Sequence, residues 1–206
     1  MKIHIESFED QAPIPAEFAF AVPDPDTHVK LSANRNPKVS WSDAPEGTQS
    51  FALIVHDPDV PSVGDDVNQE GKTVPQSLDR VDFYHWVLVD IPADRTEIAE
   101  GEDSDGVTAR GKEPGKKAYG VTGINDYTGW FKGDADMEGF YGGYDGPCPP
   151  WNDTLIHRYV FTLYALDVAS LGLEGNFTGH DAVHKLENHV LGCAAWSGTY
   201  TLNASL

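Results

Sequence analysis

The chain has 206 residues, of which 40% are apolar, enough for one domain with one sizeable core. Its formal net charge of −19 argues against nucleic acid or an anionic membrane surface as a partner, because both would repel it. No apolar run is long enough for a transmembrane helix, and the first residues lack the apolar stretch of a signal peptide. We therefore expect an acidic cytoplasmic protein. Cys148 and Cys193 could pair, but two cysteines in a cytoplasmic chain are more often free thiols.

Three runs rich in β-branched and aromatic residues predict neighbouring central strands of a mostly β domain: Phe51–His56, Phe83–Ile91 and Leu155–Leu166. Successive side chains of a strand point to opposite faces of the sheet, so alternate residues share a face. In the second run this rule places five residues on one face: Phe83, His85, Val87, Val89 and Ile91.

Each of the three runs carries polar side chains on its apolar face near one end of the strand. These side chains are Asp57, His85, and His157 with Tyr159. Their positions fit a ligand site at one end of the sheet. They fit equally well a set of hydrogen-bonded core histidines and turn-forming acids, and spacing alone does not separate the two interpretations.

A stiff loop precedes the third strand. It contains Gly143, Gly146 and three prolines up to Pro150, so it is neither helix nor central strand. Its glycines allow the backbone to approach a ligand closely. We expect the backbone of Gly146 to lie at the rim of any site formed by the strand ends.

The segment 97–142 is predicted to be a long, irregular, acidic insertion, and connections of that length are usually functional or inserted. It contains part of a calcium-loop spacing that ends in the following loop, with the residues Asp134, Asp136, Glu138, Gly139 and Asp145. The flanking residues do not form the helices that such a loop needs. A solvated acidic loop is therefore the preferred interpretation, and no metal is expected.

Towards the end of the chain, Thr178 and Asp181 have the spacing of a helical capping box. Val183 and Leu186 recur at helical spacing on one face, as does Val190. The pattern predicts one amphipathic helix near 179–192 that packs on the sheet, followed by a last short strand over 199–202.

Several separated motifs resemble the phosphatidylethanolamine-binding protein family, particularly its bacterial and archaeal Raf-kinase-inhibitor-like branch, over about the whole chain. The motifs are Asn36–Trp41, Pro45–Leu53, Asp57–Pro61, His85–Val89, Gly146–Pro150, His157–Asp167 and Gly198–Thr201. Two features depart from the family pattern. The family usually has a small residue where Val60 stands, and the segment 97–140 is longer and more acidic than expected.

The resemblance implies a single domain, 1–206, built as a β-sandwich around a large mixed sheet with a C-terminal helix. It also implies a small anion pocket at one end of that sheet, lined by Asp57, His85, Gly146, His157 and Tyr159. In such a pocket the imidazoles and the Gly146 N–H would donate hydrogen bonds to a phosphoryl or carboxylate group. Asp57 would orient a histidine rather than contact the anion.

Three functions fit these expectations. The first is a non-catalytic protein that binds phosphate-headgroup or similar anionic ligands without a cofactor and modulates a partner protein. The second is a hydrolase in which Asp57, His85 and His157 bind a metal or act as acid and base. The third is a protease or kinase inhibitor that acts through a surface and has a vestigial pocket. No motif for an activated nucleophile is visible, which favours the first function.

We also expect a homodimer, because members of the prokaryotic branch tend to pair. Apolar side chains in the segment 119–131 would supply the surface to be covered: Tyr119, Tyr127, Trp130 and Phe131. The same side chains can equally pack inward.

Overall fold

The computed structural model describes residues 1–206 and is dominated by β-strands. The strands are β1 (Lys2–Ile5), β2 (Ala12–Pro13), β3 (Ala21–Asp24), β4 (His28–Leu31), β5 (Val39–Ser42), β6 (Ser50–Pro61), β7 (Arg80–Pro92), β8 (Glu97–Ile98), β9 (Gly115–Lys117), β10 (Gly120–Thr122), β11 (His157–Leu166) and β12 (Val190–Tyr200). The helices are α1 (Tyr127–Trp130), α2 (Gly179–Leu186) and one 3-10 turn (Ala16–Phe18). No helix is long and apolar enough to cross a bilayer.

A seven-stranded sheet with the order β2-β12-β11-β6-β7-β10-β9 forms the centre of the fold. It is mixed, because β2 runs parallel to β12 while the other neighbours are antiparallel. Strand β6 lies between β11 and β7, so the three predicted central strands are neighbours. The predicted mostly β fold with a large mixed sheet and a C-terminal helix is confirmed.

The two faces of this sheet are covered differently. On one face, a three-stranded sheet (β1-β5-β8) packs its apolar side chains against β6, β7 and β11 around Leu53, Trp86 and Phe161. On the other face, Ala182 and Leu186 of α2 pack on the sheet. The central sheet therefore has a separate apolar core on each face, one beneath the small sheet and one beneath α2.

Strand β7 corrects the predicted alternation. Val55 of β6 lies opposite Trp86, and His56 lies opposite Tyr84, so His85 is an extra residue in a β-bulge. After the bulge, Val87 faces the α2 side, not the side of His85.

Strand β7 has a second irregularity, after which its side chains again point to different faces of the sheet than strict alternation predicts. Leu53 lies opposite Leu88 while Phe51 lies opposite Ile91, and between them Asp90 has a positive φ of 54°. Val89, which precedes this irregularity, faces α2 as Val87 does. Ile91, which follows it, packs in the core between the two sheets. The prediction that Val87 and Val89 share a face with His85 and Ile91 was wrong, because the rule of alternation assumes an unbroken ladder.

The C-terminal elements also differ from the prediction. The Thr178–Asp181 capping box is present, but α2 ends at Leu186. Val190 is the first residue of β12, and the segment 199–202 includes only the end of that eleven-residue strand. Likewise the third central strand starts at His157, two residues later than predicted.

The segment 97–142 is mostly irregular, although it contains β8, β9, β10 and α1. Tyr119 and Tyr127 are buried, and Phe131 stacks on Tyr127 with 5.7 Å between ring centroids. Only Trp130 of the four aromatic residues stays largely exposed. The aromatic cluster packs inward, so it does not supply the surface expected for a dimer.

The calcium-like spacing is not held together in space. Asp134 caps a local turn by accepting from the N–H groups of Asp136 and Met137. Asp145 is instead buried, and accepts hydrogen bonds from the side chains of Asn34 and Asn125. The two cysteines, Cys148 and Cys193, are free thiols, as expected.

Candidate ligand-binding site

A cavity of about 610 Å³ lies where β6, β7 and β11 end. Four residues expected at the site line its polar floor: Asp57, His85, His157 and Tyr159. Its walls are mainly apolar and include Phe20, Val29, Leu31, Val60, Val63, Val67, Trp130, Phe131 and Met137. The cavity therefore offers a few polar groups at one end of a long apolar surface, the arrangement common in small-molecule sites.

His157 lies fully buried between two carboxylates. Its Nδ1 is 2.7 Å from Asp57 Oδ2, and its Nε2 is 3.0 Å from Asp153 Oδ2. Burial opposes a charged imidazole, but the bonds to Asp153 and Asp57 outweigh it and raise the pKa of His157 to about 9. At neutral pH the ring is an imidazolium that donates both of its N–H groups to the protein.

Arg80 extends this ion cluster away from the cavity. Its guanidinium contacts both oxygens of Asp153, at 2.5 and 3.1 Å. Burial tends to raise the pKa of Asp153, but the bonds from His157 and Arg80 outweigh it and lower that pKa. The expected role of His157 as a direct donor to a ligand therefore conflicts with this geometry, because neither N–H is unoccupied.

Next to this cluster, Asp59 and Arg158 form a second ion pair. Arg158 donates to both carboxylate oxygens of Asp59 at 2.8 Å each, and its backbone N–H adds a bond of 2.9 Å. The N–H of Asp59 in turn donates to Asp57 Oδ1 at 2.8 Å. Asp57 is thus fixed from both sides, by His157 and by the backbone of the turn that follows it.

His85 has the opposite character. Its Nδ1 lies 2.8 Å from the carbonyl oxygen of Asp145, and since a carbonyl only accepts, Nδ1 carries the proton. Burial lowers the pKa of His85 to about 4, so the ring is neutral at physiological pH. Its Nε2 is consequently a lone-pair acceptor, and it has no hydrogen-bond partner in the protein.

Tyr159 supplies the complementary donor. Its hydroxyl is buried and makes no hydrogen bond of regular geometry, although the Asp57 carboxylate lies close to it, and its ring centroid is 5.1 Å from that of His85. Burial, together with the nearby charge of Asp57, raises the pKa of Tyr159 well above its usual range. The hydroxyl therefore keeps its proton, and an unsatisfied buried O–H of this kind needs an explanation.

The backbone of Gly146 was expected at the rim of the site, but Gly146 does not line the cavity. Its N–H donates to Asn34 Oδ1 at 2.8 Å, and its carbonyl accepts from the hydroxyl of Tyr127 at 2.8 Å. A side-chain carbon at this position would lie 2.0 Å from the carbonyl oxygen of Phe18, which explains the need for glycine. From this loop it is Cys148 and the prolines after it, rather than Gly146, that line the cavity.

The Gly146 loop positions His85 through a buried polar brace. The side-chain amides of Asn34 and Asn125 donate to Asp145 at 2.7 and 2.8 Å, and Lys112 Nζ lies 3.7 Å from the same carboxylate. Burial still raises the pKa of Asp145. Because this brace fixes the backbone of Asp145, its carbonyl holds one tautomer of His85.

The outer wall of the cavity is tied to the proline loop. Asn152 donates to the carbonyls of Asp66 and Lys72 at 2.8 and 3.1 Å, and the N–H of Trp151 donates to Asn68 Oδ1. His28 stacks on Trp151, with 3.8 Å between ring centroids. These contacts hold the segment 62–72 over the cavity.

Sequence reasoning did not identify the residues that set the charge of the floor: Asn34, Asp59, Arg80, Asp145, Asp153 and Arg158. A signal existed for Asp153, four residues before His157, and for Asp59 within the Asp-Pro-Asp motif. Arg80 and Asn34 carry no local signal, because they reach their partners across 73 and 111 residues of chain.

Comparison with known proteins is decisive for the family. The model of the phosphatidylethanolamine-binding protein family matches residues 4–201. This chain belongs to the phosphatidylethanolamine-binding protein family. A UPF0098 protein of Methanothermobacter thermautotrophicus is 32% identical over 200 residues, covering 97% of this chain and 98% of the relative. YbhB of Escherichia coli is 26% identical, covering 82% of both chains.

Solved structures of the phosphatidylethanolamine-binding protein family share the fold. The crystal structure of YbcL from Escherichia coli superposes with a TM-score of 0.69 at 24% identity and covers 97% of both chains. A homologue from Chlamydia trachomatis gives a TM-score of 0.64 at 25% identity, covering 97% of this chain and 95% of the homologue. The bacterial and archaeal branch proposed from the motifs is thereby confirmed.

Proposed function

We propose that this protein is a non-catalytic binding protein whose cavity takes a small ligand with a phosphoryl or carboxyl group and an apolar body. One observation carries the proposal: the partnerless hydroxyl of Tyr159 lies at the polar floor of an apolar cavity, beside the ring of His85, whose only hydrogen bond is made by Nδ1. An oxyacid group fits there, because its oxygens accept from Tyr159 and its acidic proton reaches an acceptor. Family membership supports the non-catalytic part.

The polar floor of the cavity favours a complex that holds one more proton than the free protein and the free ligand hold together. Tyr159 is a donor, but neutral His85 and the carboxylate of Asp57 are acceptors, so a fully ionised anion would face two acceptors. The missing proton can lie on the ligand, as in a phosphate monoanion, or on His85 once an anion lies beside it. Either way, binding takes up a proton and strengthens as the pH falls.

The groups at the floor are poorly suited to hydrolysis. His157 is protonated, with a pKa of about 9, and both of its nitrogens are occupied, so it is not a general base at neutral pH. Burial raises the pKa of the Cys148 thiol, which also lines the cavity, to about 12. A metal on both histidines would require His157 to release Asp153.

Calorimetry with hexyl phosphate and inorganic phosphate tests the proposal. We expect Tyr159→Phe to weaken binding of hexyl phosphate by about 10- to 100-fold, the effect of losing a hydrogen bond to a charged group. Tyr164→Phe, on the α2 side of the sheet, is the matched control and should bind like the wild type. Inorganic phosphate should bind more weakly than hexyl phosphate. Equal affinity of the wild type and Tyr159→Phe would contradict the proposal.

Proton uptake is measured by repeating the titration in two buffers of different ionisation enthalpy. Hexyl sulfate serves as a second probe, because it has no group that titrates near neutral pH. Uptake with both ligands assigns the proton to His85, and uptake with hexyl phosphate alone assigns it to the ligand. Binding of both ligands without proton uptake would contradict the arrangement of donors and acceptors proposed for the cavity floor.

A further inference from the structure

The interior of the cavity differs from its mouth in the side chains that line it. The most exposed apolar side chains of the lining mark the mouth: Leu31, Val63 and Trp130 are 60%, 51% and 55% exposed. Deeper in the cavity the lining side chains are buried or half-buried, and they include the rings of Phe20, Phe83, His85, Tyr127, Phe131 and Tyr159. The part of a ligand that adjoins the polar floor therefore meets several rings.

These rings form a continuous series from the floor outward. The ring centroid of Tyr159 lies 5.1 Å from that of His85. The His85 ring in turn lies 5.0 Å from Phe83 and 5.5 Å from Tyr127, and Tyr127 stacks on Phe131 at 5.7 Å. The hydroxyl of Tyr159, which is the donor proposed for the ligand, thus stands at one end of an aromatic wall.

Two rings of this wall meet nearly at a right angle. The planes of Phe83 and Tyr127 are 80° apart, with 5.3 Å between their centroids, and both rings line the cavity. A planar ring that contacts both of them is stacked on one and edge-on to the other. Stacked and edge-on arrangements are the two that aromatic pairs prefer, so this corner suits a third aromatic ring.

The corner is also rigid before a ligand arrives. Tyr127 lies between Phe20 and Phe131, nearly parallel to both at 17° and 16°, and its hydroxyl donates to the carbonyl of Gly146 at 2.8 Å. A planar ring has no internal rotors to lose on entering such a preformed space, whereas an alkyl chain loses freedom about every bond that becomes fixed. The inner cavity therefore favours a ring over a flexible chain of the same carbon number.

We propose that the ligand of this cavity is a small aromatic oxyacid, in which a planar ring adjoins the phosphoryl or carboxyl group and packs in the corner between Phe83 and Tyr127. The inference rests on the proposed function, because the oxyacid group has to lie at Tyr159 for the ring to reach that corner. Phe83 is then a specificity-determining residue, which contacts the ring of the ligand and not its acid group.

Three phosphate monoesters of six carbons each test the preference: phenyl, cyclohexyl and hexyl phosphate. Calorimetry at about pH 5, below the second phosphate pKa of about 6, compares them mainly as monoanions. We expect phenyl phosphate to bind about 10-fold more tightly than either of the others, since aromatic pairs contribute beyond the area that they bury. Cyclohexyl phosphate separates aromatic character from ring shape, and hexyl phosphate adds the flexibility of a chain.

A substitution at the corner tests the role assigned to Phe83. Phe83→Leu keeps an apolar side chain but removes the ring, so the preference for phenyl over cyclohexyl phosphate should fall to about 3-fold or less. The affinity for cyclohexyl phosphate should change by less than about 2-fold. Phe140→Leu is the matched control, because Phe140 is 49% exposed and does not line the cavity, and it should leave both affinities unchanged.

Nuclear Overhauser effects on the wild type locate the bound ring directly and keep the proposal testable if Phe83→Leu does not fold. The ring protons of bound phenyl phosphate should give effects to the rings of Phe83 and Tyr127. Effects to Leu31 and Val63 alone would place the ring at the mouth of the cavity and overturn the inference.

The affinities separate a failure of this inference from a failure of the proposed function. If the three phosphates bind equally and Tyr159→Phe weakens all of them, the oxyacid site stands and the aromatic preference is refuted. A preference for phenyl phosphate that Phe83→Leu leaves at full size would also overturn the inference. If none of the three phosphates binds, the proposed function fails and the inference fails with it.

Discussion

The two histidines at the floor of the cavity are equally buried but differ in charge. His157 lies between two carboxylates that keep it protonated, while His85 faces a carbonyl oxygen and a cavity, so it stays neutral. Burial penalises the charge in both cases. The hydrogen-bond partners of each histidine, rather than its burial, therefore decide whether it belongs to the scaffold or to the ligand site.

The strongest test of this difference is removal of each ring. His157→Ala leaves Asp57 and Asp153 buried beside an empty space, and breaking a buried ion cluster in this way costs about 3–5 kcal/mol of unfolding free energy. His85→Ala removes no charge partner, so its cost should be smaller, about 1–3 kcal/mol. Urea unfolding of both variants measures the difference. If His157→Ala lowers the unfolding free energy no more than His85→Ala does, the ion cluster around His157 does not stabilise the fold more than the surroundings of His85 do.

The pH dependence of stability should separate the two rings next. The pKa of folded His157 is raised to about 9, so its contribution is fully present below about pH 6.5, its unfolded value, and is lost as the pH rises towards 9. The pKa of folded His85 is lowered to about 4, so its contribution is present above about pH 6.5 and is lost as the pH falls towards 4.

The unfolding free energy should therefore change with pH by up to about 1.4 kcal/mol per pH unit for each ring, above neutrality for His157 and below it for His85. Unfolding curves of the wild type and His85→Gln at several pH values measure the acid side, because the glutamine does not titrate. His157→Gln serves in the same way for the alkaline side. Parallel curves for the wild type and either variant would contradict the assigned charge state of that ring.

The sequence patterns predict the two regions unequally, for a physical reason. Alternation along an unbroken ladder correctly places Asp57 on β6 and Tyr159 on β11 with the apolar residues of their strands. The same rule fails on β7, because the bulge at His85 is a feature of strand pairing and not of local sequence. His85 nevertheless reaches the cavity, where its ring lies 5.0 Å from that of Phe83, which also lines the cavity.

Charge states were beyond the sequence patterns altogether. Which histidine is protonated depends on Asp153 and on the carbonyl of Asp145, and these groups reach the rings only through loop conformations. The family motifs indicated which residues line the site but not their charge states. The assignment of both imidazoles as donors to an anion came from the family resemblance and the general chemistry of imidazole, and the hydrogen bonds of His157 and His85 do not support it.

The smallest expected effect concerns the stability of Tyr159→Phe, and it sharpens the distinction between scaffold and site. The hydroxyl of Tyr159 has no partner, so its removal should change the unfolding free energy by less than about 1 kcal/mol and can stabilise the fold. Tyr144→Phe is the matched comparison, because Tyr144 is equally buried but donates to the carbonyl of Phe18 at 2.6 Å. That variant should lose about 1–3 kcal/mol, since it leaves a buried carbonyl unsatisfied. Urea unfolding at pH 7 without ligand compares the two variants. If Tyr159→Phe proves as destabilising as Tyr144→Phe, the hydroxyl belongs to the scaffold like His157, and the donor proposed for the ligand is lost.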